Sequence, residues 1–438
     1  MTLAIPHARA AVEAPKNDLP TVAGSRLTVP LVDGRHVQYA NLDHAASAPC
    51  LDAVRDAVDE LLPWYASVHR GAGFASQVST KVYERAREVV RDFVGARRTE
   101  EVIFTRNTTD ALNLLARAVP QRTSVIVFDT DHHAAILPWR GPYVYRVTPT
   151  ANIERDLDEA LAQTPTGPRL VVVTGAANVT GELWPVARLS AVARRHGARI
   201  ALDAAQLAPH RPVDIRALDV DYVAISGHKL YAPFGAGALV GRADWLRAAY
   251  PYLAGGGATR QVTERGVSWN YGPERHEAGS PNVVGAHALA VACKTLSRHW
   301  DVVFAHEEDL LDRLRTGLAA IPGVRQLSFF GDEAPRVGVV SFTVEGHDPG
   351  LVAAYLSAEH GIGVRDGAFC AHIAVRRLTG DRALRASIGL GSTAEHVDRL
   401  LTALRNLVTH GPAVGYTLVD GRYAPVDDPR ELPAFLSE

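Results

Sequence analysis

The chain has 438 residues, 47% of them apolar, and a formal net charge of −2. That length suits two domains or one large α/β unit, and the composition suits a sizeable buried core. A near-neutral balance without a dense basic run argues against nucleic acid as a main partner, and no 18-residue apolar run is present to span a membrane.

The three cysteines, Cys50, Cys293 and Cys370, are widely spaced and form no CxxC pair, which points away from a zinc site or a disulfide framework. Residues 1 to 16 hold no apolar stretch of signal-peptide length, so the expected setting is reducing and cytoplasmic. Residues 1 to 36 carry Pro6, Pro15, Pro20 and Pro30 and are expected as an irregular N-terminal arm.

From residue 37 to 292, apolar runs alternate with helical periodicity, as in a large α/β domain. SVIVFDTDH (124–132), RLVVVTGAAN (169–178), RIALDAAQ (199–206), DYVAISGHK (221–229) and GALVGR (237–242) read as buried strands. Between them lie helical patterns such as VARLSAVARRHG (186–197), closed by a glycine as helix C-termini prefer. The alternation predicts a mainly parallel sheet covered on both faces. Residues 293–411 differ: a long amphipathic stretch (294–321) with a break near Trp300, then RVGVVSFTV and RALRASIGL, predicts a smaller α+β domain. Residues 412–438 turn proline-rich and are expected to wrap over the surface as a tail.

Chemistry gathers at the strand ends. SGHKLYAPFGAG (226–237) places Ser226, His228 and Lys229 where open α/β sheets bind ligands, beyond the carboxyl ends of strands. Lysine occurs only four times, at Lys16, Lys81, Lys229 and Lys294. One held partly deprotonated at a strand end can form a Schiff base. Asp203 and Gln206 end a second strand. His132 and His133 end a third, where an imidazole can stack on a planar ligand and handle protons. Asn178 ends a fourth. In FTRNTTDALNLLARAV (104–119), Thr108 and Thr109 open a helix whose free amides suit a phosphate. Each cluster alone also suits a solvated loop or an ordinary capped helix. Four polar strand ends in order favour a site.

On these residues, together with LDHAASAP, DHHAAILPW, ANVTGELWPV, SGHKLYAPFGAGALVG, HEAGSPN and VRDGAFCAH, the chain resembles the class V aminotransferase family of fold-type I pyridoxal-phosphate enzymes. Within it, the cysteine desulfurase and selenocysteine lyase-like branch is the most similar. The resemblance covers about 85% of the chain, from LDHAASAP to VDRLLTALRNL. It implies a large domain with a mainly parallel seven-stranded sheet and a smaller α+β C-terminal domain. It implies pyridoxal 5'-phosphate joined to Lys229, with Asp203 at the pyridine nitrogen, Gln206 near the phenolic oxygen and His132 stacked on the ring. Thr108, Thr109, Ser226 and His228 surround the phosphate in this reading, and Asn178 faces the ring oxygen or the substrate carboxylate. Ser280 stands where relatives reach the other subunit's phosphate, which implies a homodimer with composite sites. Arg365 and Arg385 match arginines near the substrate, the second as its carboxylate clamp.

The cofactor does not settle the reaction, and Cys370 bears on it. Arg365, Gly367 and Cys370 reproduce the R-x-G-x-x-C segment in which desulfurase relatives place a sulfur-accepting cysteine. The resemblance therefore implies conversion of L-cysteine to L-alanine, with a persulfide on Cys370 and a possible sulfur-acceptor protein as partner. Two positions depart from those relatives: Ile373 replaces a usual proline, and RASIGLGST (385–393) lacks a usual tyrosine–asparagine pair. The alternative reading is a C–S lyase on a cysteine conjugate or sulfoxide, or an isopenicillin N epimerase-like enzyme.

Overall fold

The computed structural model describes residues 18–436. Its main sheet has seven strands, in the spatial order Glu100–Thr105, Gly237–Arg242, Tyr222–Ser226, Arg199–Asp203, Arg169–Thr174, Ser124–Phe128 and Val144–Val147. Gly237–Arg242 runs antiparallel to both neighbours, while the other recorded pairings are parallel. The expected mainly parallel sheet is therefore present.

Period-2 geometry explains the near-continuous apolar strands. Val171, Val173, Ile200, Leu202, Val223 and Ile225 join one core, while Leu170, Val172, Ala201, Tyr222 and Ala224 join another. Alternate side chains thus bury against opposite helical layers, so every position favours an apolar residue. The strands stop before the polar residues do. Phe128, Thr174, Asp203 and Ser226 are the last strand residues, leaving His132, Asn178, Gln206 and Lys229 in the loops beyond.

A second sheet is antiparallel, in the order Val324–Gln326, Val339–Val344, Ala383–Ser387 and Arg365–Gly367. It packs with the helices Trp300–Ala319, Pro349–His360 and Ala394–His410 around Leu314, Phe342, Leu356 and Leu404. The preceding helix, Val283–Arg298, ends at His299, so the break falls one residue before Trp300. Ala40 and Leu42 also belong to this core, and Ala40–Asn41 pairs in parallel with Ile362–Gly363. The chain therefore visits the smaller unit before it builds the larger sheet.

One expectation is corrected and another is extended. Part of the irregular arm is ordered, since Thr28–Pro30 and His36–Gln38 form a hairpin; residues 1 to 17 lie outside the described residues. The tail also carries a hairpin, Tyr416–Val419 with Arg422–Pro425, turned at Asp420 (φ 50°) and Gly421 (φ 76°). Asp-Gly with both residues left-handed is the preferred two-residue hairpin turn.

Candidate active site

The loops after these strands enclose a cleft of about 430 Å³. Twelve of the thirteen predicted site residues line it: Thr108, Thr109, His132, Asn178, Asp203, Gln206, Ser226, His228, Lys229, Arg365, Cys370 and Arg385. Ser280 does not. It borders a separate hollow with Arg70, Gly257 and Glu277.

The floor is made by adjacent strand ends. Asp203, only 5% exposed, accepts from the Ala205 amide through Oδ1 at 3.0 Å, leaving Oδ2 to a ligand. Burial raises its carboxyl above the ordinary range, opposed by the Ala205 amide and by Lys229. Lys229 stands one strand over, on a turn closed by its own amide to Ser226 O at 3.2 Å. Burial pulls its ammonium down to about 8; Asp203 opposes the shift and Arg385 adds to it. About a tenth of the side chains are then neutral at pH 7. Gln206 is anchored by donating from Nε2 to Ala45 O at 2.7 Å.

His132 caps the short helix His133–Ile136, its Nδ1 accepting from the Ala134 amide at 3.1 Å. That bond fixes the neutral ring's proton on Nε2. Burial, then the charges of Lys229, His133 and Arg385, push its pKa down to about 3. His132 is therefore a neutral, flat donor and not a cation.

One wall of the cleft suits a phosphate. The helix Thr108–Ala118 points its N-terminus inward; Asn107 caps the Asp110 amide, and the Thr108 and Thr109 amides have no intrahelical partner among the described residues. Thr108 Oγ1 and Ser226 Oγ are buried without a hydrogen-bond partner among the described residues. Such orphaned hydroxyls are costly unless a ligand completes them. Thr109 and His228 line the same cleft. A set of neutral donors at a helix start fits a dianion well.

Opposite lies the segment bearing Cys370, which is exposed. Its backbone is unusual: Phe369 (φ 52°) and Cys370 (φ 54°) are both left-handed without being glycine. Asn178 Nδ2 donates to Phe369 O at 2.7 Å, and the His133 amide donates to Cys370 O at 2.8 Å. Asn178 thus serves first as a brace for this segment. Arg385, 3% exposed, donates to Asn178 O (2.9 Å) and to Asp43 Oδ1 (3.2 Å), while its Nε has no partner among the described residues. Arg365 is exposed and lies 3.7 Å from the other oxygen of Asp43.

Sequence reasoning missed Asp43, Phe369 and Asn107. Asn107 caps the helix Thr108–Ala118 by accepting from the Asp110 amide, and an Asn before Thr-Thr-Asp is a readable capping signal. Asp43 pairs with residues more than 320 positions away, and no local pattern announces such a contact.

Known proteins share this arrangement's sequence and shape. The model of the family described as Aminotransferase class-V matches residues 40–400. The cysteine desulfurase of Klebsiella pneumoniae (strain 342) is 36% identical over 392 residues, covering 86% of this chain and 94% of that protein. The apo cysteine desulfurase of Thermococcus onnurineus NA1 superposes with a TM-score of 0.78 at 32% identity, covering 89% of this chain and 98% of that one. The cysteine desulfurase of Escherichia coli, in an S-sulfonic acid form, gives a TM-score of 0.74 at 30% identity, covering 84% and 94%. The chain belongs to the aminotransferase class-V family, on its cysteine desulfurase branch.

Proposed function

We propose that this chain is a pyridoxal-phosphate-dependent cysteine desulfurase that converts L-cysteine to L-alanine and takes the sulfur onto Cys370 as a persulfide. One observation carries the reading: Cys370 borders the same cleft as Lys229, Asp203 and Arg385. A thiol there meets a substrate whose carboxylate is received by Arg385 beside it and whose amine faces Lys229 on the floor.

Thr108, Thr109, Ser226 and His228 would hold the cofactor's phosphate, Asp203 its pyridine nitrogen, Gln206 its phenolic oxygen, His132 its ring face and Lys229 its aldehyde. When bound, the cofactor supplies an electron sink for the pair released at the substrate's Cα. Arg385 receives the substrate carboxylate, with Arg365 and Asn178 beside it. Lys229, neutral in part near pH 7, takes the Cα proton and later returns one to alanine. His132 offers its Nε2 proton within the cleft and resists becoming a cation. Cys370, as a thiolate, attacks the substrate sulfur. An S–S bond forms and the Cβ–S bond breaks, its electron pair staying with the alanine fragment, which is then protonated.

The same reading extends to a homodimer in which Ser280, set apart from its own chain's cleft, completes the partner's phosphate site. It extends also to a sulfur-accepting protein that meets the exposed Cys370, and to a cytoplasmic setting.

Alanine and thiol-releasable sulfide, measured from L-cysteine for wild type and Cys370→Ala, test the proposal. We expect alanine formation to fall by about 10²-fold or more in the variant, in keeping with loss of an attacking nucleophile, with cofactor absorbance unchanged. Equal alanine from both proteins sinks the persulfide step. Pyruvate with ammonia indicates the lyase, and a D-amino acid the epimerase.

A further inference from the structure

We propose that Phe369 is a positioning residue that couples carboxylate capture by Arg385 to the presentation of the Cys370 thiol. The inference rests on the desulfurase reading for its meaning but on separate contacts for its geometry.

Two consecutive non-glycine residues in the left-handed region are strained, so contacts must hold them. Phe369 supplies several of those contacts. Its ring, 8% exposed, packs in a small cluster with Val179, Leu327, Ala374 and Val375. The guanidinium carbon of Arg385 lies 5.0 Å from the centre of the same ring. Asn178 bonds both partners, giving its side-chain N–H to Phe369 O and accepting from Arg385 at its own carbonyl. Phe369, Asn178 and Arg385 therefore form a closed triangle, and Cys370 is the next residue in the chain.

Arg385 is not fully committed within that triangle. Its Nε is buried without a partner among the described residues, and its bond to Asp43 is a long one at 3.2 Å. A carboxylate entering the cleft exchanges with Asp43 and completes the guanidinium's hydrogen bonds. Any resulting shift of the planar cation moves against the Phe369 face, where a cation and a ring attract. Occupancy of the clamp is thereby transmitted one residue along the backbone to the thiol. A leucine keeps apolar contact with the cluster but is smaller and offers no such face.

The test needs no turnover. The holoenzyme is treated with iodoacetamide with and without saturating L-alanine, which carries the carboxylate and amine but no sulfur. Alkylation of Cys370 is followed by peptide mass mapping, so Cys50 and Cys293 do not interfere. In wild type, alanine is expected to change the Cys370 rate by about fivefold or more, the lower end of ordinary coupling between sites. Phe369→Leu should bring that ratio close to one, while Phe369→Tyr should keep it. Unchanged cofactor absorbance and melting temperature establish that both variants fold. In steady-state assays, Phe369→Leu should lower kcat more than it raises KM. A wild-type ratio of one, or a Phe369→Leu ratio equal to wild type, overturns the proposal. Failure to make alanine from cysteine with the alkylation ratios intact refutes the desulfurase reading alone.

Discussion

The two sides of the cleft are built by opposite means. The floor comes from adjacent strands of one sheet, so Asp203 and Lys229 inherit the rigidity of a fully paired ladder. The facing segment is the end of an edge strand, Arg365–Gly367, followed by left-handed residues held by a few bonds to Asn178 and His133. The floor buries its titratable groups, raising the Asp203 carboxyl and lowering the Lys229 ammonium, whereas Cys370 is exposed. Proton transfer near Cα benefits from fixed, desolvated groups. A thiol that must take sulfur and then give it away needs solvent and partner access instead. The division of labour follows from that difference.

Removing the floor's central group should have the largest effect. Lys229→Ala is expected to lower alanine formation by about 10³-fold or more, because proton transfer and cofactor attachment are both lost. The visible cofactor absorbance should disappear with it, while Cys370 alkylation in the absence of ligand stays near the wild-type rate. Substantial activity in this variant would place the base elsewhere. Arg385→Lys addresses the joint between the two sides. Lysine keeps the charge but loses the planar fork that meets Asn178 O, Asp43 and the Phe369 face together. KM for L-cysteine should rise about 10- to 100-fold, equivalent to about 1.5–3 kcal/mol for a charged hydrogen-bonded pair. A change confined to kcat would mean that Arg385 does not clamp the carboxylate.

The same contrast explains what could be read from sequence. The floor was legible because each residue ends a strand whose apolar run is visible locally, as in RIALD before Ala204 or YVAIS before Gly227. His132 and Lys229 were found because punctuation by polar residues marks where a buried strand must stop. The facing side was only partly legible. Cys370 stood out through its spacing from Arg365, but its backbone depends on contacts with Asn178 and Arg385 from distant segments. Asp43 was invisible for the same reason. The hairpin at Thr28–Pro30 was also missed, because scattered prolines hid a strand that places Pro30 at its end. Prolines tolerate such edge positions, so their presence did not exclude pairing.

Burying the floor's surroundings has a cost that acid should expose. His44, between Asp43 and Ala45 at the edge of the cleft, is 4% exposed, and neither ring nitrogen has a hydrogen-bond partner among the described residues. A Cβ added at Gly389 would sit 2.5 Å from its Nδ1, so the ring is closely enclosed. Burial, with His210 and other nearby histidines, draws its pKa down to about 4. The folded value lies below the unfolded one of 6.5, so the unfolded chain takes up the proton first. Stability is therefore undiminished above about pH 6.5 and is lost as pH falls from there toward 4. At 1.36 kcal/mol per unit, His44 alone accounts for a loss on the order of 2 kcal/mol by about pH 5. His132, drawn down to about 3, adds a parallel loss over the same range. His44→Leu keeps similar bulk without an ionisable ring. Urea unfolding at pH 7 and pH 5 should show wild type losing more stability than the variant by about that amount. Equal losses would mean that His44 is already protonated or solvated in the folded protein.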